Sequence, residues 1–157
     1  MNTSREVCTF FLDGHLFGVD VVEVQEIISP QQMTRVPLAP PAVAGLLNVR
    51  GQLVTAIDLR RRLELRDRPA DRLPVNVVVS TDDGAVSLLV DEIGDVLNVT
   101  GEGFERVPET LKGAARDLIR GVYKLDGRLL LILDTARAVT VTGPAAFEPT
   151  HYTPTAP

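Results

Sequence analysis

Two histidines, one cysteine and a scatter of carboxylates are the groups this chain could use for acid–base, nucleophilic or metal chemistry. His15 falls in a hairpin turn, His151 in a Pro/Thr/Ala-rich end, and Cys8 in the β-rich run Val7 to Leu12. None of them has the C-x-x-C or H-E-x-x-H spacing that places ligands around a metal ion. No serine stands in a G-x-S-x-G turn. Gly101-Glu-Gly103 lacks the third glycine and the following helix of a dinucleotide loop. The carboxylate pairs Asp82-Asp83 and Asp91-Glu92 are neighbours in sequence, and the first is ordinary turn chemistry. No catalytic residue, metal ligand or cofactor site is expected, and Cys8 reads as a small buried hydrophobe. The expectation is a protein that is not an enzyme.

What remains is recognition chemistry, and the sharpest candidate is Arg50. It stands in Gly45-Leu-Leu-Asn-Val-Arg-Gly-Gln-Leu-Val-Thr-Ala-Ile-Asp-Leu-Arg-Arg-Arg-Leu63, which reads as strand, tight turn at Arg50-Gly51, strand and short helix. The same pattern returns in Gly121-Val-Tyr-Lys-Leu-Asp-Gly-Arg-Leu-Leu-Leu-Ile-Leu-Asp-Thr-Ala-Arg-Ala-Val139, offset by 76 positions. Gly45 falls on Gly121, Gly51 on Gly127, Leu53 on Leu129, Asp58 on Asp134 and Arg61 on Arg137. Where the second copy has the favoured turn pair Asp126-Gly127, the first has Arg50-Gly51. A type II turn, with the positive φ on Gly51, would accept that arginine. It is then either a solvated loop residue or a cation held on a rigid turn for a partner's carboxylate or backbone oxygens.

Asp58 and Asp134 each end an apolar strand and precede a short amphipathic run, the position of a helix N-cap. Arg60-Arg61-Arg62 reads as the solvated face of that short helix rather than a binding patch. Asp13-Gly14 and Asp82-Asp-Gly84 mark further hairpins. Between Val19 and Ile28 the apolar positions follow neither period. A bent strand and a short helix both fit, with β-branching favouring strand. Val21, Val24 and Ile27 are core by default, and an apolar patch for a partner helix if a bend leaves them outside. Pro30, Pro37, Pro40 and Pro41 punctuate a loop. Glu64 to Pro74 reads as a charged surface connection, and Pro108 to Asp117 as a loop with one helical turn. Ile93-Gly-Asp-Val-Leu97 echoes Val24-Gln-Glu-Ile-Ile28, and Val107-Pro108 echoes Val36-Pro37, so the repeat extends beyond the hairpins. Many short strands between turn signals indicate an all-β fold of two small barrels rather than βαβ units.

Composition closes off other classes. Of the residues, 45% are hydrophobic and 24% charged, and the formal net charge is −5. An acidic chain with few aromatics lacks the positive groove and stacking platform of a single-strand nucleic-acid binder. No apolar run approaches the ~18 residues of a membrane span. The polar start is no signal peptide, and the lone Cys8 fits a reducing compartment, so a cytoplasmic location is expected.

Val24-Gln-Glu-Ile-Ile, Thr34-Arg-Val-Pro, Val43 to Arg60 and Val86-Ser-Leu-Leu-Val-Asp-Glu-Ile-Gly-Asp-Val-Leu together resemble the signature of the CheW family, the adaptors of bacterial chemotaxis arrays. The similarity covers roughly residues 6 to 140. It implies two SH3-like five-stranded β-barrels packed side by side, with short helices after the Arg50-Gly51 and Asp126-Gly127 hairpins. It implies one domain over 1–140. Subdomain 1 would cover about 13–80, and subdomain 2 about 81–140, completed by the first strand, 6–12. The Pro/Thr/Ala-rich stretch 141–157 is expected to be disordered.

The resemblance also implies an adaptor coupling the cytoplasmic hairpin tip of methyl-accepting chemoreceptors to the regulatory domain of a CheA-type histidine kinase, at membrane-associated arrays. Other CheW-like domains in rings are further implied partners. A paralogue serving twitching, developmental or second-messenger signalling is the alternative. By position, Val21, Val24, Ile27 and Cys8 would line the receptor groove, Glu26 and Arg50 would be its polar determinants, and Asn48 and Gly51 would set the turn. One departure is Thr55-Ala56 where the family usually has proline before the Asp; a non-proline restores a ladder donor there.

Overall fold

The computed structural model describes residues 4–141; the expected loose tail lies, from residue 142 onward, outside them. The strands are β1 (Ser4–Leu12), β2 (His15–Asp20), β3 (Val24–Ile28), β4 (Val43–Val49), β5 (Gln52–Asp58), β6 (Val75–Thr81), β7 (Gly84–Val90), β8 (Glu92–Thr100), β9 (Phe104–Glu105), β10 (Ile119–Leu125) and β11 (Arg128–Leu133). Three short helices interrupt them: α1 (Leu59–Arg62), α2 (Ala114–Leu118) and α3 (Thr135–Val139).

The ambiguous segment after Val19 resolves into three pieces. β2 stops at Asp20, whose carboxylate accepts from the Val22 amide and caps a single 3₁₀ turn over Val21–Glu23. β3 then begins at Val24 and carries a bulge between Val24 and Glu26 where it pairs with β6. A bulge inserts one residue and resets which side chains share a face. Neither helical nor strand periodicity fits such a stretch, for that reason.

Two sheets form, one of six strands in the order β8-β1-β2-β11-β10-β9 and one of five in the order β3-β6-β7-β5-β4. Both follow one plan. A hairpin (β1–β2 or β6–β7) pairs in parallel with the later strand of a second hairpin (β11 or β5). The strand that follows each hairpin leaves for the other sheet: β3 pairs with β6, and β8 pairs with β1. The two repeats have therefore exchanged their leading hairpins. Sheet membership moves the expected division at residue 80: β2, assigned to subdomain 1, belongs to the six-stranded sheet, and β7, assigned to subdomain 2, is central in the other. Hairpin turns fix only local pairing, so this exchange has no local sequence signal.

The 76-residue repeat has a structural counterpart at each shared position. β4 and β10 slip register at the same place, Val43/Gly45 and Ile119/Gly121. At both glycines a neighbouring carbonyl comes too close for a side chain; an added Cβ would lie 2.6 Å from Thr34 O or 2.6 Å from Glu105 O. Glycine thus lets Thr34 bridge to Leu46, and lets β9 pair with Val122 as a sixth strand that the five-stranded expectation did not include. Asp58 and Asp134 cap α1 and α3, accepting from the Arg60 and Arg137 amides. Their own amides donate to Ala42 O and Leu118 O, both at 2.7 Å.

The core has three parts. Leu47, Val49, Val54, Ala56, Val78 and Leu89 fill the five-stranded barrel, while Val7, Leu16, Val99, Tyr123, Leu130 and Ile132 fill the other. The largest part lies between the sheets and includes Cys8, Phe10, Leu12, Val77, Val79, Leu88 and Val90. Alternate residues of β6 and β7 point into a barrel or into this shared core, which explains their unbroken apolar runs Val77-Val-Val79 and Leu88-Leu-Val90.

Candidate partner-binding site

At the tip of the β4–β5 hairpin both Arg50 (φ 52°) and Gly51 (φ 86°) are left-handed. That is the sign pattern of a type I′ turn, not the type II turn expected from Arg-Gly. Asp126 keeps a negative φ beside Gly127 (φ 81°), so the second copy has the type II pattern instead. The positive φ at Arg50 has a local brace: Asn48 Oδ1 accepts the Gly51 amide at 2.8 Å. The Arg50 side chain, 81% exposed, reaches Glu26, with Nε 3.0 Å from Oε2. Glu26 is on β3 and Arg50 ends β4, the two edges of the five-stranded sheet, so the ion pair spans the barrel's closing gap.

The bulge in β3 sorts the neighbouring side chains. Val24 pairs with Val79 and Ile27 with Val77, both on the face toward the shared core, whereas Glu26 pairs with Val78 on the barrel face. Val21 and Val24 are half-buried against the shared core; Ile27 is 45% exposed. The structure thus brings Glu26 and Arg50 into contact and leaves Ile27 as the accessible member of the apolar set. Cys8 does not line an open groove. It is 4% exposed within the shared core, and burial raises its thiol pKa. It belongs to the core cluster against which Val21 and Val24 pack, and it offers a partner no surface.

Two exposed apolar residues beside this site carry no weight in the sequence reading: Val22, at the crest of the 3₁₀ turn, and Leu53, opposite Asn48 in the β4–β5 register. Leu53 had a signal, since an outward strand position beside a turn is ordinarily polar.

The arginine run on α1 also differs from expectation. Arg60 is buried rather than solvated, with Nε 2.9 and 3.1 Å from the two Asp91 carboxylate oxygens. Arg68, from the connection expected at the surface, donates to Asp91 Oδ1 at 2.9 Å, and the Asp13 amide donates to Oδ2 at 2.8 Å. Burial pushes the Asp91 pKa up, but hydrogen bonds from Arg60, Asp13 and Arg68 outweigh it and hold the carboxyl below its usual range. One carboxylate thus fastens α1, the 63–74 connection and the β1–β2 turn where the chain crosses between sheets. Arg62 donates to the carbonyls of Arg137, Ala138 and Thr140 at the end of α3. These arginines hold the two halves together. Arg61 alone of the three stays on the outer surface, half-exposed and paired with Asp67.

Among the described residues no group of His, Cys, Asp and Glu is placed to hold a metal ion. Among those same residues no helix is long and apolar enough to cross a membrane.

Residues 6–142 match the CheW-like domain. The chain belongs to the CheW-like domain family. It is 30% identical to the chemotaxis protein CheW of Klebsiella aerogenes, over 87% of this chain and 82% of that one. It is 31% identical to the chemotaxis protein CheW of Bacillus subtilis, over 85% and 86%. The crystal structure of the scaffolding protein TtCheW from Thermoanaerobacter tengcongensis superposes with a TM-score of 0.79 at 23% identity, covering 90% of this chain and 91% of that one. The fold of this CheW-like chain is accordingly all-β, with two SH3-like barrels side by side. Its Thr55-Ala56 step falls in β5, which pairs on both sides, with β4 and with β7, so the extra backbone donor lies in an interior strand.

Proposed function

We propose that this chain is a non-enzymatic adaptor that couples methyl-accepting chemoreceptors to a CheA-type histidine kinase in a cytoplasmic array at the membrane. The observation that carries the receptor side is the Arg50–Glu26 pair on a rigid turn, with exposed Ile27 and Leu53 nearby. An apolar ridge beside a fixed, solvent-facing guanidinium suits an amphipathic helix that bears a carboxylate. Val21 and Val24 support the ridge from below, and Asn48 and Gly51 hold the turn. Kinase and other CheW-like domains would meet the barrel ends. Modest individual contacts then gain strength through multivalent assembly.

The test is co-sedimentation with receptor-containing membranes and the CheA-type kinase of the same genome, with kinase activity scored alongside. The reading requires kinase activation that depends on this protein and falls with Arg50→Glu. Folded protein that binds neither component would sink it.

A further inference from the structure

The β1–β2 hairpin is joined to the rest of the molecule by a turn that runs against its own sequence. The hairpin completes the six-stranded sheet by pairing with β8 on one side and β11 on the other, while β3, which follows it, belongs to the other sheet. The link is the 3₁₀ turn Val21–Glu23. Val21-Val22-Glu23-Val24 is rich in β-branched side chains, which fit an extended strand better than a helical turn. Val22 stands 84% exposed there and gains no burial from the bend. One hydrogen bond, from the Val22 amide to Asp20 Oδ1 at 3.2 Å, caps the turn, and the Val24 amide closes it on Val21 O. Straightened, the turn would fuse β2 and β3 into a single strand from His15 to Ile28. Local preference and tertiary placement conflict at this point.

The matching crossing in the other half is fastened. Between β7 and β8 stands Asp91, buried, its carboxylate accepting from Arg60, Arg68 and the Asp13 amide. Its own amide donates to Phe11 O at 3.0 Å. Several charge-assisted bonds in a buried site outweigh one cap at an exposed turn. Of the two crossings, the one after β2 is therefore the one that opens.

We propose that the Val21–Glu23 turn is a hinge through which the β1–β2 hairpin exchanges with that of a second copy of this chain, giving an intertwined dimer. Each hairpin pairs with β8 and β11 of the other copy, so every pairing of the closed molecule is re-formed between chains and the exposed turn alone changes. Exchange of an identical element is a low-cost route to a dimer for that reason. The Arg5–Asp20 ion pair lies within the hairpin and travels with it. The exchange does not depend on the adaptor reading.

Cys8 faces Val96 in the β1–β8 register, so a Val96→Cys variant, once oxidised, records which chain supplies β1. The experiment refolds the full chain from urea at high and at low protein concentration, separates the species by size exclusion with light scattering, and oxidises each fraction before a denaturing, non-reducing gel. The dimer share should grow with protein concentration during refolding. The oxidised dimer should run as two linked chains and the oxidised monomer as one, and adding Cys8→Ser should remove the link. Val22→Asn favours a turn over a strand and should lower the dimer share about fivefold or more. Because Val22 is exposed, that variant keeps the monomer's fold. Asp20→Ala removes the cap and should raise the dimer share. Monomer alone at every refolding concentration, a dimer whose oxidised chains separate on the gel, or dimer shares that neither hinge variant changes would each overturn the proposal.

Discussion

Arg50 and Glu26 join the two edge strands of one barrel through a single contact, Nε to Oε2 at 3.0 Å. The arginine is largely in solvent, so the pair's contribution to stability should be small, on the order of 0–1 kcal/mol. Arg50→Glu should leave the circular dichroism spectrum unchanged and the melting temperature within a few degrees of wild type, while receptor coupling falls. Glu26→Arg combined with Arg50→Glu restores the pair with reversed polarity. If the pair matters only as a clasp, the double variant should couple normally; if the exposed guanidinium is read by the partner, it should not. Ile27→Asp is the matching apolar probe, because Val24 is half-buried against the shared core and its replacement would also disturb folding.

Asp91 accepts from two buried arginines and one backbone amide. Asp91→Asn would leave the Arg60 and Arg68 guanidinium groups with only their more distant carboxylates, Asp13 at 3.9 Å and Asp58 at 3.6 Å, where breaking a buried pair on one side costs up to about 3–5 kcal/mol. Equilibrium urea unfolding should show it as a lower midpoint with an unchanged slope. A loss below about 1 kcal/mol would mean that water reaches this cluster freely.

The same carboxylate makes a prediction about acid. Its pKa is depressed in the folded protein, as is that of Asp13, where the Arg66 hydrogen bond dominates. Such a group stabilises the fold fully above the unfolded-state value of about 3.9. The contribution is lost as pH falls from there through the lower folded value. Stability should therefore hold through mildly acidic pH and fall steeply below about pH 4, and Asp91→Asn should flatten that part of the profile.

The two helix caps should not be equivalent. Asp134 caps α3 and forms an exposed ion pair with Arg137, so Asp134→Ala should cost about 1 kcal/mol. Asp58 caps α1 and also stands 3.6 Å from Arg68 Nη2, a buried nitrogen without a hydrogen-bond partner. Asp58→Ala should be the more damaging of the two in thermal melts, by a further ~1 kcal/mol or more.

Gly45 and Gly121 are expected to respond alike to alanine. Each would place a methyl group against a backbone carbonyl that belongs to a crossing segment. A loss of about 1–3 kcal/mol is expected for each. Hydrogen exchange should loosen at the Thr34–Leu46 bridge in one variant and at β9 in the other.

The sequence displays the repeated hairpin, the capped helices and most turns, because those features are set by neighbours: Asp-Gly pairs, an Asp after an apolar run, a glycine recurring at fixed offset. The exchange of hairpins between sheets is not visible there, since a hairpin is complete in itself and carries no mark of the strand it will join. Arg60 reads as solvated because an arginine triplet on a four-residue helix has no outward sign that Asp91 and Arg68 will enclose one member. The turn type at Arg50 depends on a side-chain brace from Asn48. Of the candidate site, the Arg50–Glu26–Ile27 surface is legible by position, whereas Val22 requires knowing that the 3₁₀ turn leaves its side chain without a covering neighbour.

Exchanged hairpins also impose an order on synthesis. β1 leaves the ribosome before the other described strands, yet its neighbour β8 begins only at Glu92, and β2 waits for β11 near the end of the described residues. At roughly 5–20 residues per second, β1 spends several seconds with one of its edges unmatched. Neither half can finish its own sheet, so a chain halted between β7 and β8 should remain a client of chaperones rather than a folded intermediate.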